Sequence, residues 1–397
     1  MQPNHSIYVH IPFCRRRCYY CDFNTYAGID HFIPQYLDSL ENEIELVARF
    51  SGKDIPIHTI YFGGGTPSLM EWQSLERIIQ KIDKNFQVSD SVEISIEANP
   101  NSLSLDYLKN IKKIGINRIS IGMQSALTDE LKLLGRLHDP YDVIQSVKWS
   151  RQAGFDNISL DLIFGLPDQS LKQWEYNLNS AINLNPEHLS LYSLIVEEET
   201  PFWNWTQKGL INVPDEDLSA DMYEYSMDRL SGIGFVQYEI SNWGRRKEDQ
   251  TYYKSVHNLQ YWKNQPYIGI GAGAHGYFNG IRYANERIVP KYIEKLKKPL
   301  SRLKPDVAVT QSYQVDKEIE IQETMMVGLR LTRDGISKAD FFERFKIPLE
   351  VRFENQIKSL LKSGLLEWAG EAQEILRLTY RGRMLGNQVF MQFIDES

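Results

Sequence analysis

The sequence predicts an α/β fold followed by a smaller α+β unit. Three observations carry that reading. Short apolar strands alternate with amphipathic helical segments through the first half of the chain. Polar residues collect where those strands end. Beyond about residue 305 the pattern changes to helices followed by a short hairpin. The expected divisions are residues 1–240 for the strand–helix units, 241–305 for a separate segment with a connector, and 306–397 for the C-terminal unit.

The strand candidates are Ser6–Ile11, Thr59–Phe62, Val92–Ala98, Arg118–Gly122, Asn157–Phe164 and His188–Leu194, rich in Ile, Val, Tyr and Leu. Between them, Gln35–Phe50 places Leu37, Leu40, Ile44 and Val47 at helical spacing, and Glu71–Phe86, Ser104–Lys113, Asp142–Ala153 and Ser170–Leu184 read similarly. Repeated strand–helix units imply a parallel sheet with helices outside. Six units are too few for a closed eight-fold barrel, which leaves a partial barrel and a doubly wound open sheet as the candidates.

All three cysteines lie in Phe13-Cys14-Arg15-Arg16-Arg17-Cys18-Tyr19-Tyr20-Cys21-Asp22. A disulfide framework needs an even count in a small secreted chain. Zinc would need a fourth cysteine or histidine at ligand spacing, and His10 and His31 do not supply it. A C-x3-C-x2-C loop can instead hold three corners of a cubane iron–sulfur cluster, leaving one iron for an external ligand. Straight after the second strand comes Gly63-Gly64-Gly65-Thr66-Pro67, whose glycines allow close backbone approach and whose proline suits a helix start.

The cysteine triplet followed by GGGTP resembles the radical S-adenosylmethionine (SAM) superfamily, and so favours the partial (β/α)6 barrel. The resemblance implies a [4Fe–4S] cluster on Cys14, Cys18 and Cys21 with SAM on the open iron. It is most similar to the oxygen-independent coproporphyrinogen oxidase-like branch, from Tyr8-Val-His10-Ile-Pro12-Phe13-Cys14 through nearly the whole chain. By motif position it implies SAM contacts at Tyr8, Tyr20, Gly64, Gly65, Thr66, Glu97, Gln124, Arg136 and Asp161. Tyr20 would lie near adenine, the carboxylates would accept from ribose or the amino group, and Arg136 would pair with the SAM carboxylate. Independently of any family, Glu97, Gln124 and Asp161 fall on or at the ends of successive parallel strands, the rim where such folds place active sites. An aspartate in the apolar run around Asp161 needs a partner or a ligand.

Within this branch, three features favour the heme chaperones over the oxidases. The oxidases carry a further cysteine where this chain has Phe23. They have an N-terminal extension before the first strand, whereas Tyr8 stands almost at the start here. His257-Asn258-Leu259-Gln260-Tyr261-Trp262 matches the H-N-x-x-Y-W motif of the chaperone branch. A neutral imidazole is a good axial ligand for heme iron, and the two aromatic residues offer flat apolar surface. His257 is therefore the expected heme ligand, with His275 and His138 as rival or second ligands. The resemblance implies heme and heme-accepting apoproteins as partners. The alternatives are coproporphyrinogen III decarboxylation and radical chemistry on another substrate. No residue is assigned as catalytic.

The net charge of −8 argues against bulk affinity for nucleic acid. No apolar run approaches the roughly 20 residues of a membrane span, and the polar start shows no export signal, so a cytoplasmic location is expected. Neither peripheral membrane contact nor a homodimer is opposed by this composition. Gly269-Ile-Gly271-Ala-Gly273-Ala lacks the full dinucleotide-binding spacing and reads as a tight turn or a close backbone approach. Lys291–Pro305 reads as a connector. Helices over Ile319–Leu331, Lys338–Arg344 and Leu349–Ser363, a hairpin from Gly364–Trp368 and Ile375–Thr379, and a last helix from Thr379 resemble a winged-helix domain. The chain's acidity favours a lid or docking role there over DNA binding.

Overall fold

The computed structural model describes residues 4–52, 54–298, 300–304 and 306–394. Two compact units divide the chain: Met1–Met222 with Pro266–Tyr313, and Tyr223–Gln265 with Gln314–Ser397. Residues 241–265 thus belong to the second unit and 266–305 to the first.

The first unit is a partial (β/α)6 barrel. Its strands β1 (His5–Ile11), β2 (Pro56–Gly64), β3 (Gln87–Ala98), β4 (Arg118–Gln124), β5 (Ile158–Phe164) and β6 (His188–Ser193) pair in parallel in that order. A seventh strand, β7 (Tyr267–Ile270), pairs in parallel with the outer side of β1. The antiparallel strands β8 (His275–Phe278) and β9 (Ile281–Asn285) extend that edge, and β10 (Val309–Gln314) lies beside β9.

Helices α1 (Ile33–Ser51), α2 (Trp72–Asn85), α3 (Leu105–Lys113), α4 (Thr128–Leu133), α5 (Pro140–Gln152) and α6 (Leu171–Asn183) lie in the connections. Three of them, α3, α5 and α6, start where the sequence supplies a side-chain cap. Asp139 and Ser170 each close a capping box, and Ser104 accepts from Tyr107 N–H. All but the short α4 bury residues at helical spacing, as in Leu75, Ile78 and Ile82 of α2.

Parallel strands covered on both faces should be apolar throughout. In β1 and β5 every residue is buried except the fourth, which is Tyr8 in one and Asp161 in the other. Those two side chains open onto the barrel interior while their neighbours form the core.

Three local expectations change. Pro67 opens a 3₁₀ turn, Pro67–Leu69, and the α-helix begins only at Trp72. The supposed connector contains a helix, Val289–Leu296, because Val289, Tyr292 and Leu296 recur on one face and are buried. Its prolines, Pro299 and Pro305, lie outside the described residues. Leu349–Ser363 splits at Phe353 into Leu349–Arg352 and Glu354–Lys362.

The second unit contains the hairpin Phe235–Glu239 and Asn242–Arg245, the helix Val256–Trp262, and a winged-helix-like α+β domain. In that domain Lys317–Gly328, Lys338–Phe345 and Glu354–Lys362 are helical. Ile336–Ser337, Ile375–Leu378 and Leu366–Ala369 form a three-stranded antiparallel sheet. Phe341, Phe345, Phe353, Leu376 and Phe393 are among its core residues. No helix among the described residues is long and apolar enough to cross a membrane.

Candidate functional site

The cysteine loop leaves β1 at Ile11 and folds back so that Phe13–Cys14 pairs with Tyr26–Ala27. The glycine turn at the end of β2 lies directly along it. Gly65 N–H donates to Ile11 O at 2.8 Å and Thr66 N–H to Phe13 O at 2.9 Å. A Cβ on Gly65 would stand 2.7 Å from Phe13 O and 2.9 Å from Cys14 Sγ. Gly64 has φ +114°, and a Cβ there would meet the His10 ring at 2.5 Å. Both positions therefore need glycine.

Cys14 is buried, and Cys18 and Cys21 are half-buried. Each sulfur has its own hydroxyl or guanidinium neighbour. Thr66 Oγ1 donates to Cys14 Sγ at 3.6 Å and Arg136 Nη1 to Cys18 Sγ at 3.4 Å, while Thr25 Oγ1 lies 3.9 Å from Cys21 Sγ. Burial pushes the Cys14 thiol up to about 11 and also raises Cys21. Such thiols ionise when a metal supplies compensating charge. Among the described residues no three His, Cys, Asp or Glu side chains converge on one point as around a single ion. A cubane does not require that convergence, because its ligands bind separate irons.

An arc of hydrogen bonds links the first two cysteines. Asn99 Nδ2 donates to Thr66 Oγ1 at 2.9 Å, and Arg136 Nη2 reaches Asn99 Oδ1 and, at 3.1 Å, Gly122 O. The arc Cys14–Thr66–Asn99–Arg136–Cys18 thus ties the cysteine loop to the ends of β2, β3 and β4. A shallow groove opens beside it, lined by Cys18, Asn99, Arg136, His138, Arg15 and Arg16, among others.

Glu97 is held at both oxygens, Oε1 by Tyr61 O–H at 2.9 Å and Oε2 by Gly64 N–H at 3.1 Å. Burial raises its carboxyl to about 7 against the pull of the Tyr61 bond. Tyr8 stacks on Tyr61 with ring centroids 6.2 Å apart, and its hydroxyl lies 3.0 Å from His10 Nδ1. Asp161 accepts from Ser120 Oγ at 2.9 Å and Ser159 Oγ at 3.3 Å, and burial raises its carboxyl as well. Tyr20 is close enough to Arg136 and Cys18 to interact with both, and burial raises its phenol. Gln124 ends β4 with φ +62°, a strained conformation for a non-glycine residue and one that concentrates at functional sites.

The nine residues expected to contact SAM all lie in the first unit, and four of them, Gly65, Thr66, Arg136 and Tyr20, stand directly beside cysteine sulfurs. Sequence reasoning missed Asn99, Tyr61 and His10. Asn99 carried a usable signal, since it follows Glu97 by two positions at the strand's end and shares its face.

The three histidines differ. His257, in the second unit, is only 1% exposed, and its Nε2 lies 2.8 Å from Tyr261 O–H. His138 is buried with Nε2 3.1 Å from Met123 O, and burial lowers it to about 4. His275 is exposed at the start of β8 and is lowered by partial burial and by Arg287.

A radical SAM superfamily profile matches residues 8–181, and a HemN C-terminal domain profile matches residues 315–385. The heme chaperone HemW of Bacillus subtilis (strain 168) is 40% identical over 393 residues, covering 98% of this chain and 99% of that one. The chain belongs to the HemW family. The heme chaperone HemW of Escherichia coli (strain K12) is 38% identical, covering 69% and 70% of the two chains. The structure of coproporphyrinogen III oxidase (HemN) from Escherichia coli shares the fold, with TM-score 0.82 and 23% identity over 98% of this chain and 90% of that one. In this HemW-family chain the radical SAM match spans the three cysteines and all nine rim residues. His257 lies outside both matched stretches.

Proposed function

We propose that this protein is a cytoplasmic heme chaperone that binds heme and passes it to acceptor apoproteins. In this reading it carries a [4Fe–4S] cluster on Cys14, Cys18 and Cys21, with SAM in the rim site. The observation that carries it is the near full-length likeness to proteins named heme chaperone HemW, in a chain that has Phe23 at the position of the oxidases' extra cysteine.

The rim residues suit SAM. Arg136 supplies a fixed guanidinium for a carboxylate. Glu97 and the Gly64–Thr66 turn present acceptors for an amino group, and Asp161 and Gln124 present acceptors for ribose hydroxyls. Tyr20 offers a face for adenine. The reduced cluster would supply the electron that cleaves SAM.

Heme is assigned to the second unit through His257. Two observations there suit a ligand with carboxylates. Trp262 Nε1 and Arg330 Nε are both buried without a hydrogen-bond acceptor among the described residues. The Arg330 guanidinium lies 4.5 Å from the Trp262 ring centroid. Orphaned buried donors are costly, and heme propionates would satisfy them. Reaching iron requires His257 Nε2 to exchange its Tyr261 partner.

The test is an anaerobic heme titration of cluster-reconstituted protein, followed by visible absorption, beside His257→Ala. The expected result is a saturable Soret band near one heme per chain, weakened by the substitution while the cluster absorption is retained. An absence of saturable binding overturns the chaperone reading. SAM-dependent release of carbon dioxide from coproporphyrinogen III in the same sample would replace it with the oxidase reading.

A further inference from the structure

We propose that Arg118, sealed inside the barrel, is the shared counter-ion of Glu97 and Asp161 and acts as a positioning residue for SAM. The inference rests on the SAM reading above.

Strand register brings the three groups together. Side chains alternate along a strand, and paired residues of neighbouring strands point to one face. Tyr8 pairs with Tyr61, Tyr61 with Ser95, Ser95 with Arg118, and Glu97 with Ser120. Ser120 pairs with Ser159, and Asp161, two residues further on, pairs with Ser190. All of these side chains therefore share the interior face with Tyr8 and Asp161. In closed barrels bulky branched residues dominate that space, whereas here it is polar. Arg118 is the only lysine or arginine in the six barrel strands.

Burial gives that one charge its weight. Arg118 is 2% exposed. Its Nη2 lies 3.5 Å from His188 Nδ1, which lies 2.8 Å from Ser159 Oγ. Burial and the Arg118 charge hold His188 well below the ordinary imidazole range, so it orients the guanidinium without balancing it. A buried guanidinium needs anions nearby. Arg118 is close enough to Glu97 and to Asp161 to oppose the rise that burial imposes on each carboxyl. Asp161 adds to the rise at Glu97, and two neighbouring carboxyls without a cation tend to keep a proton between them.

The other groups facing these carboxyls supply no positive charge. Burial raises the phenols of Tyr8 and Tyr61 and lowers His10 to about 4. Tyr192 is a further phenol at the end of β6. Glu93, half-buried on the same face of β3, is a third acid lower in the barrel. SAM brings hydroxyl and amino donors and a sulfonium charge. An ionised carboxylate accepts charge-assisted bonds from such donors, and a protonated one loses part of that capacity. A carboxyl raised by burial ionises only as pH climbs through its raised value. Removing Arg118 therefore weakens SAM binding most near neutral pH and least at high pH, where the carboxyls ionise without help.

Cluster-reconstituted wild type, Arg118→Gln and Arg118→Lys are titrated anaerobically with SAM by calorimetry from about pH 6 to about pH 9. The amino group of free SAM titrates alike in every sample, so the ratio of variant to wild-type affinity is the readout. Arg118→Gln should bind about tenfold or more weaker at pH 7, with the deficit shrinking several-fold by pH 9. Arg118→Lys, which keeps the charge, should recover most of the loss. In the SAM-free proteins the infrared band of protonated carboxyls is assigned with Glu97→Gln and Asp161→Asn. It should vanish about one pH unit higher in Arg118→Gln than in wild type. A deficit of equal size at every pH, or an unmoved carboxyl band, overturns the proposal and leaves Arg118 a packing residue of the barrel. If Arg118→Gln does not fold, the wild-type band decides. Carboxyls that stay protonated above about pH 8 overturn the proposal, and carboxyls ionised by then support it. Wild type that binds no SAM at any pH, with a carboxyl band that moves as expected, overturns the SAM reading and supports the counter-ion.

Discussion

Replacing Tyr261 with phenylalanine isolates one hydrogen bond at the centre of the heme assignment. His257 and Tyr261 are four residues apart on the helix Val256–Trp262, so their side chains share a face. Tyr261 O–H stands 2.8 Å from His257 Nε2, with the two rings nearly perpendicular at 89°. If Nε2 binds heme iron, that hydrogen bond must break first, and its free energy is subtracted from binding. A net contribution of about 1 kcal/mol is typical, equivalent to about a fivefold change in affinity. Tyr261→Phe keeps the aromatic surface and removes the competitor. The expected outcome is therefore tighter heme binding by about fivefold in the anaerobic titration, with the heme-free protein less stable by about 1 kcal/mol in urea. His257→Ala should move affinity the other way. An unchanged affinity in Tyr261→Phe, with the stability loss present, would show that Nε2 is not the ligating atom. The His257–Tyr261 pair would then be a packing feature of the second unit.

Four further outcomes follow from the geometry. Cys18→Ala should abolish the iron–sulfur absorption while circular dichroism shows the fold retained. Asn99→Ala breaks the arc between Thr66 and Arg136, including a bond to a charged group worth about 1.5–3 kcal/mol; SAM binding by calorimetry should weaken about tenfold or more with iron content unchanged. Phe353→Ala, which removes a side chain packed on Phe341 and Phe393, should cost about 3–5 kcal/mol in urea unfolding. Glu43 is buried under Gly271 N–H, Asn285 Nδ2 and Tyr292 O–H, and burial raises it to about 7, while Tyr36, Tyr283 and Tyr292 facing it are held neutral by burial. A carboxyl raised on folding keeps its proton while the unfolded chain ionises, so its contribution is greatest below about pH 4.5 and falls by about 3 kcal/mol as pH rises to 7. Urea midpoints of wild type and Glu43→Gln should therefore diverge between pH 5 and pH 8, and parallel curves would count against that account.

What could be read from the sequence follows how local the controlling physics is. The six barrel strands and their helices announced themselves through apolar runs and 3.6-residue stripes, because burial on the sheet and against helices imposes those patterns directly. The rim was legible in part, since parallel strands deliver Glu97 and Gln124 to one end once the order of strands is known, whereas Asp161 is the fourth of seven residues in β5 and stands inside the strand. The edge strands were less legible. Tyr267–Ile270 reads as a glycine turn, yet Gly269 is there because a Cβ would stand 1.8 Å from His275 O. That constraint comes from a neighbouring strand and leaves no mark on local propensity. The hairpin beside it did leave one, since Asn279-Gly280, both at positive φ, joins β8 to β9 and is a strong short-range turn signal.

The burial of His257 belongs to the non-local class. The motif specifies that histidine and tyrosine meet along one helix face, and they do. Whether that face opens to a ligand depends on what packs across it, which no six-residue pattern encodes. Under the proposed heme assignment the same motif serves a resting state in which Tyr261 holds the imidazole and a loaded state in which iron takes its place. The change in affinity on removing the Tyr261 hydroxyl measures the difference between them.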